Sequence, residues 1–98
     1  MELDNAAVTQ FLIAVGQPTR LKILFAFEGN RLNVGEISSH FTISRPAISH
    51  HLKVLKDAKM LSSEKVGQEI YYWVNKRYLV DELRKFAEVL ESYIHDDV

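Results

Sequence analysis

The stretch VGEISSHFTISRPAISHHLKVL, from Val34 to Leu55, constrains this chain more than any other. Val34, Ile37 and Phe41 recur at helical spacing, and after a break Ala47, Ile48, Leu52 and Leu55 do so again. Ser44 is placed to cap the second helix. Pro46 fits its first turn, because the leading N–H groups of a helix have no internal partner to lose. Between the apolar positions lie Arg45, Ser49, His50 and Lys53, side chains that hydrogen-bond rather than pack. A helix of this kind sets one face on a core and offers the other to something polar. Two such helices across a short break predict a helix-turn-helix, whose second helix lies in the DNA major groove.

A chain of 98 residues, 47% hydrophobic and 26% charged, is expected to form one domain over residues 1–98. The absence of cysteine excludes disulfides, thiolate metal sites and thiol redox sensing. No apolar run approaches membrane-spanning length and the start MELDNAAV lacks a basic n-region, so the expected compartment is the cytoplasm. The net charge of −1 argues against a nucleic-acid partner only until its distribution is examined. Residues 45–77 hold seven Lys/Arg (45, 53, 56, 59, 65, 76, 77) against three acids (57, 64, 69), whereas residues 78–98 hold two bases against six acids. A basic segment overlapping the second helix of the motif is the footprint that phosphate contacts require, and it is equally the pattern of a solvated charged surface.

From its start the chain predicts a helix with an apolar stripe of Leu3, Ala6, Ala7, Phe11, Leu12 and Val15, stopped by Gly16. A second helix begins at Pro18 and carries Leu21, Leu24, Phe25 and Phe27 to Glu28, with Gly29 ending it. Asn33 and Glu36 have the spacing of a capping box for the third. The helix of residues 44–59 follows. Two strands come next, Leu61 to Val66 and Glu69 to Val74, joined at Gly67-Gln68, since glycine first in a two-residue loop suits the mirror-image turns of tight hairpins. Ile70, Tyr72 and Val74 share one face of the second strand, Tyr71 and Trp73 the other. The fold expected is mainly α with a small β-hairpin, a winged helix-turn-helix in the order α-α-α-α-β-β-α.

The last helix, from about Lys76 to His95, carries Leu79, Leu83, Phe86, Leu90 and Tyr93 at alternating spacings of four and three, with Ala87 and Ile94 widening the stripe. That is more apolar surface than a wing and three helices cover. The expected dimer interface is therefore Leu3, Phe11, Leu79, Leu83, Phe86, Leu90 and Tyr93, meeting a second copy; the alternative is a stripe packed inside the monomer.

The segments QPTRLKIL, ISRPAISHHLKVLKDAKML and VGQEIYYWVN resemble the matching segments of the arsenic-repressor (ArsR/SmtB) family of bacterial winged-helix regulators, and the resemblance covers about residues 8–94. It implies a homodimeric repressor that releases its operator on binding an inducer, typically a metal ion, and a dimer built from the first and last helices. The chain departs from the family at the metal. Where metal-sensing members carry a segment like E-L-C-V-C-D-L, it reads Arg31-Leu32-Asn33-Val34-Gly35-Glu36-Ile37, with both thiolates lost. The ligand places of the last-helix site fall on Lys76, Tyr78, Val89 and Ser92, a poor donor set. No metal and no cofactor are expected, and the inducer is unknown.

Other polar groups bear on that conclusion. His95, Asp96 and Asp97 offer metal donors together with Glu2 or Asp4, or simply form an acidic terminus. His50 and His51 cannot face one ion, because adjacent helical residues diverge by about 100°. Ser49-His50 has no placed acid and no Gly-rich elbow, so no enzyme is expected. Arg20 has two candidate roles, a phosphate contact or an internal pair with an acid, the second preferred. His40 is expected at the surface. The expected partner is double-stranded DNA, contacted by Arg45, Pro46, Ser49, His50, Lys53, Lys56, Lys65, Gly67 and Gln68. The alternative is a winged helix docked on a protein, and the scarcity of aromatic anchors on this face weighs against it.

Overall fold

The computed structural model describes residues 5–94, and of Asn5 only its backbone. Leu3, Glu2, Asp4 and the His95-Asp96-Asp97 group lie outside the described residues. The elements are α1 (Asn5–Val15), α2 (Pro18–Ala26), β1 (Leu32–Asn33), α3 (Val34–Ser38), α4 (Arg45–Asp57), β2 (Leu61–Val66), β3 (Glu69–Val74) and α5 (Lys76–Ile94). This is a winged helix-turn-helix, with one element more than the sequence predicts. The two-residue strand β1 pairs antiparallel with β3, Leu32 opposite Tyr72 and Asn33 opposite Tyr71, giving a three-stranded sheet in the order β1-β3-β2.

Local chemistry sets the helix starts. Gln17 accepts from the Arg20 N–H at 2.9 Å ahead of Pro18, the first residue of α2. Asn33 Oδ1 accepts from the Glu36 N–H at 2.8 Å while Glu36 Oε1 accepts from the Asn33 N–H at 3.0 Å, a complete capping box. Ser44 Oγ takes the Ala47 N–H at 3.3 Å to open α4.

Two helices stop earlier than expected, each because the chain turns left-handed. Glu28 (φ 47) and Gly29 (φ 80) follow α2, which ends at Ala26 and not at Glu28. Lys59 (φ 65) follows α4, which ends at Asp57 rather than running to residue 59. The hairpin has the expected bounds, with Leu61 opposite Val74 and Val66 opposite Glu69. At its tip Gly67 has φ 62 and Gln68 does not enter the left-handed region, the signature of a turn whose first central position favours glycine.

The core lies where α1, α2, α3 and α4 meet the base of the sheet. Phe11 and Ala14 from α1, Ile23 and Phe27 from α2 and its cap, Ile37 from α3, and Ile48, Leu52 and Leu55 from α4 are buried, with Met60 and Leu61. Tyr72 and Val74 of β3 and Tyr78 and Leu79 of α5 close the cluster from the side. Phe11, expected at a dimer face, is 3% exposed within the single chain, because α1 turns that side toward α2 and α4.

Candidate nucleic-acid interface

The candidate reading face is built by α4. Ile48, Leu52 and Leu55 are 0% exposed, which fixes the rotation of the helix about its axis. Arg45, Pro46, Ser49, His50, Lys53 and Lys56 are all exposed as a consequence of that rotation. At the wing, Lys65, Gly67 and Gln68 are exposed as well. Lys65 stands opposite Ile70, on the sheet face that Tyr72 and Val74 share, so it projects from the core-facing side of the hairpin.

Two of these cations have neighbours that the sequence did not predict. Lys53 Nζ lies 2.8 Å from Asp57 Oδ2, an i,i+4 ion pair with both partners mostly exposed; such a pair contributes at most about 1 kcal/mol and is readily exchanged for a phosphate. The Arg45 guanidinium folds back over α3, where a Cβ at Gly35 would stand 2.8 Å from its Nη2. A side chain at Gly35 would require only the flexible tip of Arg45 to shift.

Beside the wing, Arg31 makes a cluster invisible in the sequence. Its Nη1 pairs with Glu64 at 2.9 Å and its guanidinium lies 3.9 Å from the Trp73 ring centroid. The acid preceding Lys65 is thereby matched by a cation on the opposite sheet face. Only the pairing of β1 with β3 brings Arg31 there, and a two-residue strand leaves no periodicity to find.

Among the described residues Arg20 pairs with no acid, and its donors go to two backbone carbonyls and a histidine ring. Its Nε donates to the Ala14 carbonyl at 2.7 Å and its Nη2 to the Ile13 carbonyl at 3.1 Å, while Nη1 lies 3.4 Å from His51 Nδ1. Burial, then the Arg20 guanidinium, then His50 hold the His51 pKa below the ordinary 6.5. His40 is exposed, as expected.

The places that the resemblance gives to the last-helix metal ligands are Lys76, Tyr78, Val89 and Ser92. Val89 is buried and apolar, and the Ser92 hydroxyl donates to the Val89 carbonyl at 2.6 Å. The Lys76 ammonium sits where a Cβ at Gly29 would be 3.2 Å away. Among the described residues no group of three or more His, Cys, Asp or Glu side chains is placed to hold a metal ion.

The α5 stripe divides into two faces. Glu82 and Val89 are buried and Phe86 and Leu79 half-buried, turned toward the chain's own body. Val80 (41%), Leu83 (51%), Leu90 (53%) and Ile94 (58%) are exposed on another face, with Ala87 between them, and Tyr93 is exposed as well. Among the described residues no helix is long and apolar enough to cross a membrane.

A capped, polar-faced helix beside a β-hairpin defines a winged-helix regulator. Residues 17–63 match the profile of the bacterial regulatory protein arsR family. The chain is 46% identical over 70 residues to the transcriptional repressor SdpR of Bacillus subtilis, covering 71% of this chain and 78% of that one. It is 35% identical over 72 residues to the transcriptional activator HlyU of Vibrio cholerae, covering 74% and 67%. Among solved structures, an ArsR-like transcriptional regulator from Rhodococcus sp. RHA1 superposes with a TM-score of 0.84 over 93% of this chain and 86% of its own, at 24% identity. The chain belongs to the arsR family of bacterial regulatory proteins, and is a transcriptional regulator rather than an enzyme.

Proposed function

We propose that the chain is a homodimeric repressor that reads a palindromic operator with α4 and the wing, without the metal site by which other family members sense their inducers. The observation that carries this is the division of α4. Its apolar side is wholly buried by Ile48, Leu52 and Leu55, while Arg45, Ser49 and His50 stand exposed on the other side near its N-terminal end, where a reading helix enters the major groove. Arg45 supplies a fork for the O6 and N7 acceptors of guanine, with Ser49 and His50 at neighbouring base edges. Pro46 shapes the first turn against the backbone. Lys53, Lys56, Lys65 and Gln68 hold phosphates, with Gly67 giving the wing tip its approach.

The dimer is supported by the exposed face of α5. Val80, Leu83, Ala87, Leu90 and Ile94 recur at three, four, three and four residues, the spacing of a two-helix seam, and all are exposed. At its Lys76 end the seam runs into an apolar groove that includes Leu21 and Phe25 of α2, Phe25 being 72% exposed. A surface this extensive on a single chain is expected to be covered by a second copy. The proposed interface differs from the sequence expectation: Phe11 is buried in the core and Leu79 and Phe86 are half-buried toward the chain's own body, while Val80 and Ile94 extend the exposed seam. The repressor assignment leans on the resemblance to SdpR. A mobility shift with duplexes selected from a random pool tests the whole reading: the expected result is an enriched palindrome retained at 150 mM salt, and recovery of no sequence preference would overturn it.

A further inference from the structure

Arg20 ties three helices together, and it does so through groups that the DNA-reading role leaves unused. Its Nε and Nη2 satisfy the Ala14 and Ile13 carbonyls at the C-terminal end of α1, groups with no helical partner at a helix end, which also favours a cation. Its Nη1 reaches His51 Nδ1 on α4 at 3.4 Å. A guanidinium only donates, so this contact requires an unprotonated Nδ1, with the ring proton on Nε2. His51 lies one position from His50 on the reading face and one from Leu52 in the core. We propose that Arg20 and His51 form a proton-sensitive joint that sets the reading helix against α1, so that operator binding weakens when His51 takes up a proton. The joint rests on the DNA-reading role proposed above.

The charge relations around the ring are few. Arg20 from α2 and His50 from α4 itself are the charged or titratable groups that bear on His51. α1, the third element at the junction, carries no ionisable side chain in Asn5–Val15. A proton on Nδ1 therefore places two donors and two positive charges in contact; α1 and α2 carry no acid, and the one acid of α4, Asp57, lies six residues along the helix and pairs with Lys53. The contact breaks, and α4 is left tied to α1 by core packing and by the Gln10 Nε2 bond to the Asp57 carbonyl at 3.3 Å. Because the folded pKa is lowered, the unfolded chain binds this proton first; the contribution to stability is full above 6.5 and is lost as pH falls from there through the folded value. His50 is exposed on the proposed reading face and is replaced in the test, so that only His51 is read.

His51→Gln separates the two effects, because a glutamine oxygen accepts from Arg20 and does not titrate near neutrality. A duplex selected with the wild-type chain is titrated by fluorescence anisotropy from pH 8 to pH 5. In a His50→Gln background, so that His50 is silent, wild-type His51 is expected to lose about fivefold in affinity across the acid range, roughly the loss of one ordinary hydrogen bond. The His50→Gln, His51→Gln pair is expected to hold its pH 8 affinity. Nitrogen-15 imidazole spectra of the wild-type chain at pH 8 give a second readout without DNA, with His51 expected as the Nε2–H tautomer. Equal acid profiles with and without His51, or an Nδ1–H tautomer, would overturn the joint and leave the DNA-reading role standing. Failure to select any duplex would overturn that role and the joint with it.

Discussion

Asn75 Nδ2 donates to the Lys59 carbonyl at 2.9 Å, joining the residue before α5 to the left-handed residue that follows α4. The same side chain accepts from Ser62 Oγ at 2.8 Å, and the Asn75 N–H donates to the Met60 carbonyl at 2.9 Å. One residue thus fastens the exit of α4, the first strand of the hairpin and the entry to the helix proposed to pair with a second copy.

Asn75→Ala removes two of those bonds and leaves the Lys59 carbonyl and the Ser62 hydroxyl to find water. Stability is expected to fall by about 1–3 kcal/mol. Urea denaturation should give a lower midpoint at an unchanged slope. No change in midpoint would mean that packing alone holds this junction.

Gly35→Ala should act in the opposite direction. Its φ is not left-handed, and the nearest obstacle is the tip of the flexible Arg45 side chain at 2.8 Å. Reduced freedom in the unfolded chain is expected to raise stability by about 0.4–1 kcal/mol, measured by the same denaturation.

The two apolar faces of α5 and α1 separate by mutation. Leu83→Glu with Leu90→Glu places charges on the exposed seam and should leave a folded monomer, read by sedimentation at micromolar concentration as a single chain mass. Phe11→Ala removes a core ring that is 3% exposed and is expected to cost about 3–5 kcal/mol of stability. A doubly substituted chain that still sediments at twice the chain mass would place the interface elsewhere.

Zinc, cadmium and arsenite are expected neither to raise the melting temperature nor to alter affinity for the selected duplex. Val89 has no ligating side-chain atom, the neutral Ser92 hydroxyl is a weak ligand, and Lys76 repels a cation. Binding of zinc below micromolar concentration, by titration against a chelator, would contradict the proposal that the chain lacks such a site.

The sequence disclosed most where a local signal and a burial pattern coincide. Asn33 and Glu36 announce their box, Ser44 its cap, and Gly67 the hairpin tip, because each acts within four residues of itself. Periodicity says that a face is apolar but not what covers it. Phe11 and Leu83 belong to equally regular stripes, and only the packing of α1 on α2 and α4 sends the first inward. The same gap separates Phe86 from Leu90, one helical turn apart on α5 and on opposite sides of its boundary with solvent. Arg20 defeated the expectation of a charged partner because helix-end carbonyls are acceptors that no residue type encodes. Arg31 was unreadable because β1, the strand that carries the chain to Trp73, is two residues long.

The most direct measurement compares Arg45→Ala with Lys65→Ala on a panel of duplexes carrying every single-base change in the selected half-site, across a range of salt. Arg45→Ala should cost about 1–3 kcal/mol on the preferred duplex and flatten the preference at one position per half-site. Lys65→Ala should weaken every duplex alike and lower the salt slope by about one unit. The same uniform loss from both, with the sequence preference unchanged, would contradict the claim that α4 reads the bases while the wing holds the backbone.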